Sequence, residues 1–346
     1  MTGFSIAGRP IGPGHPPFVI AELSGNHNGS LDRALALLDA AAATGADAVK
    51  LQTYTPDTIT LDHDGPGFVI EGGLWHGRRL HELYAEAHTP WDWHEALFAR
   101  ARELGVILFS SPFDATAIDL LESLGAPAYK IASFEAVDLP LIKRAAATGK
   151  PLIISTGLCN LAEMAEALDA AKAAPGVALL HCVSAYPAVF ADANLATIPD
   201  MAARFGCVIG LSDHTPGSAA AAAGVALGAA IIEKHITLAR ADGGPDAAFS
   251  LEPDEFARLV ADCRNAWAAV GRVSYDVEGS EAGNHQFRRS LYAVADIAAG
   301  EAFTPANVRS IRPGFGLAPK RLPEVLGRRS TRAIARGTPL SDDMLG

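Results

Sequence analysis

Between Phe18 and Val270, short apolar runs alternate with alanine-rich helical stretches. The runs are Phe18–Glu22, Ala48–Gln52, Val106–Ser110, Ala128–Ala132, Leu152–Ser155, Ala178–Cys182, Cys207–Leu211 and Ile231–Ile236. Each is apolar at successive rather than alternate positions and rich in β-branched residues, as strands buried on both faces must be. Helical segments separate them: Leu31–Thr44, Trp91–Leu104, Ala115–Leu124, Leu139–Thr148, Leu161–Ala173, Ala193–Arg204 and Ser218–Leu227, with Pro253–Val270 after the last run. Gly45, Gly105, Gly125, Gly149, Gly206 and Gly228 stand between a helix and the next run, where a left-handed residue closes a helix. Eight such βα repeats predict a TIM (β/α)8 barrel. A doubly wound sheet is the competing reading, but the glycine-rich phosphate turn it would carry after the first strand is missing.

The 346 residues exceed what one core usually organises. Residues 1–272 are expected to form the barrel domain, with residues 1–17 as a short hairpin lid. Residues 273–286 read as a polar linker containing Gly279 and Gly283. Residues 287–346 carry short strand-like runs, Ser290–Val294 and Val308–Ile311, broken by Gly and Pro. They predict a small, mostly-β module, marginal alone and expected to dock on another surface. Residues Thr53–Pro90 form an insertion between the second strand and its helix. It holds Trp75, His76, Arg78, Arg79, His81, Tyr84 and His88, and a long loop there is more often functional than idle.

A net charge of −11 argues against nucleic acid and anionic membranes as partners. An anionic substrate would then need a locally basic site. The four cysteines, Cys159, Cys182, Cys207 and Cys263, form no C-x-x-C pair and are expected as free thiols in a reducing cytoplasm. Neither a signal-peptide pattern nor an uninterrupted apolar run of about 18 residues is visible, so the expectation is a cytoplasmic protein.

In a barrel the strand C-termini converge on one face and carry the chemistry. Here those ends offer Glu22, Lys50 with Gln52, Ser110 with Ser111, Lys130 followed by Ser133 and Glu135, Ser155, His181 with Ser184 and Tyr186, Ser212 with His214, and Glu233 with His235. Any one of these is more often a helix cap or a satisfied core residue; a polar end on every strand is not. Three of only seven lysines, Lys50, Lys130 and Lys234, lie inside predicted strands, where lysine needs a partner. Lys50 and Lys130 are candidate ligands of a phosphate or carboxylate, supported by Ser110, Ser133 and Ser155. Alternation sends Lys234 to the helix side, for a structural role, and puts Glu233 and His235 on one face. His214 and His235 end neighbouring strands. They suit either a divalent cation with open positions or an acid/base pair without metal. Glu22 and Glu135 are candidate proton carriers.

Taken in order, Glu22 with Asn26-His27-Asn28-Gly29, Lys50-Leu51-Gln52, Ser111-Pro112-Phe113-Asp114, Lys130-Ile131-Ala132-Ser133, Ser155-Thr156-Gly157, Gly210-Leu211-Ser212-Asp213-His214-Thr215, Glu233-Lys234-His235 and Gly244-Pro245-Asp246 resemble the sialic acid synthase family. The C-terminal module, with Arg312-Pro313-Gly314, resembles that family's antifreeze-like (SAF) domain. Leu23–Ser30, Gly73-Leu74-Trp75, Glu86–Trp91 and Cys182–Pro187 look like its pseudaminic acid branch, from which His181 departs where lysine is expected. The resemblance implies condensation of phosphoenolpyruvate with the open-chain aldehyde of an acetamido sugar. For this branch the sugar is 2,4-diacetamido-2,4,6-trideoxy-altrose; N-acetylneuraminate or legionaminate synthesis is the alternative. It implies a divalent metal (Mn2+ or Mg2+, with Co2+ also fitting) on His214 and His235. It implies phosphoenolpyruvate contacts from Lys50, Ser110, Lys130, Ser133, Ser155, Ser184 and Ser212. Sugar contacts fall on Glu22, Gln52, Tyr186, Asp246 and Arg312. A domain-swapped homodimer, with Arg312 reaching the partner's site, is also implied.

Overall fold

The computed structural model describes residues 3–346. Eight parallel strands close into a barrel: β3 (Phe18–Glu22), β4 (Ala48–Thr53), β5 (Ile107–Pro112), β6 (Tyr129–Ile131), β7 (Leu152–Ser155), β8 (Val177–Cys182), β9 (Val208–Ser212) and β10 (Ile231–His235). Ring closure pairs β10 with β3, placing His235 beside Glu22 and Glu233 beside Ile20. The predicted TIM barrel is therefore the observed one.

Strand alternation sorts every side chain. Phe18 and Ile20, Ala48, Phe109, Ala128, Ile153, Ala178 and Leu180, Val208 and Ile231 fill the barrel interior. Val19, Val49, Leu51, Leu108, Tyr129, Ile131, Leu152, Ile154 and Leu179 face outward and bury the apolar stripes of the helices. Both faces are dry, which explains the continuous apolar runs. The helices begin where polar side chains replace missing backbone partners. Asp114 accepts from the Thr116 and Ala117 N–H groups at 2.6 and 3.1 Å, and Asn160 with Glu163 forms a reciprocal capping box.

The N-terminal segment differs from its expected role. Strands β1 (Phe4–Ile6) and β2 (Arg9–Ile11) pair as an antiparallel hairpin. Ile6 and Ile11 are buried with Phe18, Val208 and Ile231 at the strand starts. The hairpin is thus a plug in the barrel floor, opposite the catalytic face, and not a lid. Two apolar tips are better buried against the interior side chains than over a polar mouth. The first two residues of the segment read as a hairpin lie outside the described residues.

The chain divides after Gly271. The second compact unit, Arg272–Gly346, contains β11 (Ser290–Ala293) paired antiparallel with β12 (Val308–Ile311). Leu291, Ala293, Ile297, Phe303, Val308 and Val325 form its own small core. Among the described residues no helix is long and apolar enough to cross a membrane.

Candidate active site

The interior-facing positions at the strand tips change abruptly from apolar to charged. Lys50 on β4 lies 2.8 Å from Glu22 Oε2, 3.4 Å from Glu233 Oε1 and 3.1 Å from Ser111 Oγ. Lys130 on β6 lies 3.3 Å from the same Glu233 oxygen. Gln52 donates to Glu22 Oε1 at 2.9 Å. All four charged groups are buried. Burial raises the Glu22 carboxyl above its ordinary range; Lys50 opposes that and Glu233 adds to it. Glu233 moves the other way: burial would raise it, but Lys130 and Lys50 outweigh burial and hold it ionised. Burial is also the main force lowering Lys130. The expected basic site is therefore a balanced one, two ammonium groups against two carboxyls. Glu233 bridges both lysines, although sequence reasoning gave it no role; the available signal was its place two residues before His235 on one face.

Around this cluster sit unpartnered groups. Glu135 Oε2, Ser155 Oγ and Glu233 Oε2 are buried without a hydrogen-bond partner, which in a native protein calls for an explanation such as a ligand. Ser133 accepts from the Gly157 N–H at 3.2 Å. A Cβ on Gly157 would lie 2.2 Å from Ser184 Oγ and 2.8 Å from Ser133 Oγ. Only glycine lets these two hydroxyls converge beside Ser155. Ser212 is buried at the tip of β9. Burial lifts the Glu135 carboxyl to a pKa of about 7.

His214 and His235 meet as expected, with ring centroids 5.5 Å apart. The Val183 carbonyl oxygen lies 3.0 Å from His214 Nδ1 and Ser24 Oγ 3.3 Å from His235 Nδ1. Partners at Nδ1 leave Nε2 of both rings for another ligand, the usual outer arrangement of metal-bound histidines. Burial, then His214 and Lys50, holds His235 well below the ordinary histidine pKa, hence neutral. Among the described residues no group of three His, Cys, Asp or Glu side chains could enclose a metal. The residues present fit a cation held by two imidazoles with its other positions open to water or substrate.

Three expectations need correction. Ser110 does not face the site: its hydroxyl is 2.6 Å from Thr53 Oγ1, which in turn reaches His94 at 2.8 Å, all on the outer face of the barrel wall. Phe109 is interior, so alternation turns Ser111 inward, onto Lys50, in its place. His181 likewise points outward, where its Nε2 lies 2.7 Å from the Ala193 carbonyl oxygen; interior Cys182 instead has its Sγ 4.0 Å from His214 Nδ1. Most polar residues of the insertion serve the loop itself. His76 accepts from Gly72 N–H at 2.8 Å, Arg78 pairs with Glu86 at 2.5 Å, Arg79 with Asp62 at 2.7 Å, and His81 with Asp57 at 2.9 Å. Lys234 takes the structural role foreseen for it, 2.7 Å from Asp213 and bonded to the Thr215 carbonyl. Asn26 ties the loop after β3 to β10, donating to Ile236 O at 2.8 Å.

The mouth opens into a cavity of about 480 Å³, lined by Gln52, Ser184, Tyr186, His235, Glu135 and Asp246, together with apolar residues of the insertion. Tyr186 packs at a tilt against His214, with centroids 4.5 Å apart, and against Phe249 at 5.1 Å. Burial raises the Asp246 carboxyl, against hydrogen bonds from Ser24 and Gly25. Arg312 is exposed directly after β12, in the second unit.

Comparison with known proteins agrees with this geometry. The NeuB family matches residues 37–275 and the SAF domain residues 288–346. A pseudaminic acid synthase of Campylobacter jejuni (strain 81-176) is 44% identical over 94% of this chain and 95% of its own length. That of Helicobacter pylori is 43% identical over 95% of this chain and 97% of its own. An N-acetylneuraminic acid (sialic acid) synthetase from Leptospira borgpetersenii, solved in complex with citrate, superposes with a TM-score of 0.74. It shares 31% identity, covering 82% of this chain and 95% of that one.

Proposed function

The chain belongs to the NeuB family, and on that premise we propose that it is a pseudaminic acid synthase. It condenses phosphoenolpyruvate with the aldehyde form of 2,4-diacetamido-2,4,6-trideoxy-β-L-altropyranose, giving pseudaminic acid and phosphate. The observation that carries this reading is the likeness, over nearly the whole length, to synthases of that product.

The site residues support it chemically. Lys50 and Lys130, with Ser111, Ser133, Ser155, Ser184 and Ser212, bind the phosphate and carboxylate of phosphoenolpyruvate. Gln52, Tyr186 and Asp246 orient the sugar, and Glu22 holds Gln52 in place. C3 of phosphoenolpyruvate then bonds to the aldehyde carbon while a proton passes to the aldehyde oxygen. Glu135, with a pKa of about 7, is protonated often enough near neutrality to supply it. Water adds to the cationic C2 and gives up one proton, which restores Glu135; the C2–O bond to phosphate then breaks as the C2 hydroxyl becomes a ketone and its proton leaves on phosphate.

A divalent cation, Mn2+, Mg2+ or Co2+, is the cofactor of this proposal, on His214 and His235; when bound it polarises the aldehyde oxygen. The charge balance favours it. The two lysines already face Glu22 and Glu233, so a polyanionic substrate brings negative charge that only a cation or proton uptake at Glu22 can offset. Free cysteines and phosphoenolpyruvate chemistry suit a reducing cytoplasm. The reading includes a domain-swapped homodimer in which Arg312 reaches the partner's sugar. Exposed Phe134, Val137, Leu158, Leu161, Val189 and Phe190, all within the segments that follow β6, β7 and β8, give such a partner apolar surface to cover.

Phosphate release with a panel of acetamido sugars tests the assignment. The trideoxy sugar is expected to lead; comparable turnover of N-acetylmannosamine would reject it. His214→Ala and His235→Ala should each abolish metal-stimulated release, and full activity of the wild type after chelation would remove the metal from the scheme.

A further inference from the structure

The cavity wall has two characters. At the strand tips it is polar, with Gln52, Ser184 and His235; where the insertion covers it, it is mostly apolar, the alkyl chains of Ile59, Ile70, Leu80 and Leu83 standing beside the rings of Trp75 and Tyr84. The alkyl part is held in place by its own backbone. A bridge joins Val69 to Arg79. Ile70 N–H donates to Arg78 O at 2.9 Å, Gly77 N–H to Ile70 O at 2.8 Å, and Leu80 N–H to Phe68 O at 2.9 Å. Trp75 Nε1 donates to the Pro245 carbonyl at 2.9 Å, tying the insertion to the loop beyond β10. A wall this well bonded is a fixed surface against which a substrate can be measured.

Resting on the function proposed above, we infer that this wall sets the sugar specificity, with Ile70, Leu80 and Leu83 receiving the C6 methyl of a 6-deoxy sugar. The aldehyde carbon must lie at the polar end, beside the imidazoles and lysines, to meet its nucleophile. C6 is the carbon farthest along the chain from it and is directed at the insertion. A methyl there buries against alkyl side chains, whereas a C6 hydroxyl would lose its water and find no partner among them. Pockets of this kind discriminate by roughly 10–100-fold.

The test compares kcat/KM for phosphate release with 2,4-diacetamido-2,4,6-trideoxy-altrose and with its 6-hydroxy counterpart, in the wild type and in Leu80→Asn and Ile70→Thr. The wild type should prefer the 6-deoxy sugar by roughly 10-fold or more, and each variant should reduce that preference at least several-fold. Because the preference is a ratio within one preparation, loss of folded enzyme cancels. A wild-type ratio near one, or variants that slow both sugars equally, would overturn the inference while leaving the synthase reading intact. No turnover of any acetamido sugar would instead overturn that reading, and this inference with it.

Discussion

At Ser110 and Ser111 a single step along one strand decides which hydroxyl can touch substrate. Ser111→Ala removes a partner of Lys50 and should raise the phosphoenolpyruvate KM several-fold with little change in stability. Ser110→Ala should do the reverse. It removes one of the two partners of the buried Thr53 hydroxyl, which keeps His94, and should cost about 1 kcal/mol of unfolding free energy at unchanged KM. Urea titration beside steady-state kinetics reads both; a KM effect from Ser110 alone would return it to the site. Glu135 offers a test of electrostatics. Burial lifts its pKa from 4.5 to about 7, so the folded state holds a proton that the unfolded state releases between those values. Stability from this group is intact below about pH 4.5 and falls as pH rises toward 7. Glu135→Gln removes that pH dependence. Its melting temperature should gain on the wild type across this window, by the equivalent of about 2–3 kcal/mol, and hold the difference above it. A constant difference from pH 4 to 8 would mean the carboxyl titrates normally.

Among the elements, the strands were the most legible, because burial on both faces leaves an unbroken apolar run that loops and amphipathic helices do not imitate. The ends of the runs were legible too: Lys50, Lys130, Glu233 and His235 announce themselves as ionisable residues where the pattern is otherwise apolar. Which face each tip presents was harder, and Ser110 and His181 show why. Near a strand's end polar residues stand in succession, and only the phase carried up from Phe109 or Leu180 separates inside from outside. The hairpin's place was not legible, since two three-residue strands say nothing of which end of a barrel they close. Its observed place gives a prediction. Ile11→Ala opens a void in the barrel floor and should lower stability by about 2–4 kcal/mol, while kcat and both KM values of the folded enzyme stay put, because Ile11 contacts interior residues at the strand starts. A change in sugar KM would mean the hairpin acts on the mouth after all.

On the scale of the whole molecule, an acidic chain of net charge −11 is proposed to gather an anionic substrate, and the buried lysines do not by themselves make that favourable. Each faces a carboxyl group, so the substrate's charge is offset by proton uptake at Glu22, by a cation at the imidazoles in the proposed scheme, or by an arginine of another unit. Arg312, exposed after β12, is such a group in the proposed swapped dimer. Arg312→Ala should raise the sugar KM more than the phosphoenolpyruvate KM. If the arginine acts on the partner's site, Arg312→Ala and His235→Ala chains complement one another. After equal amounts are mixed, unfolded and refolded together, half of the dimers are mixed. Each mixed dimer has one barrel with an intact His235 served by an intact Arg312, so activity above that of the separate variants should return to about one quarter of wild type. An arginine acting on its own barrel would leave every mixed dimer with one defect per site, and no recovery would follow. The experiment therefore separates a swapped assembly from a self-sufficient chain through function alone.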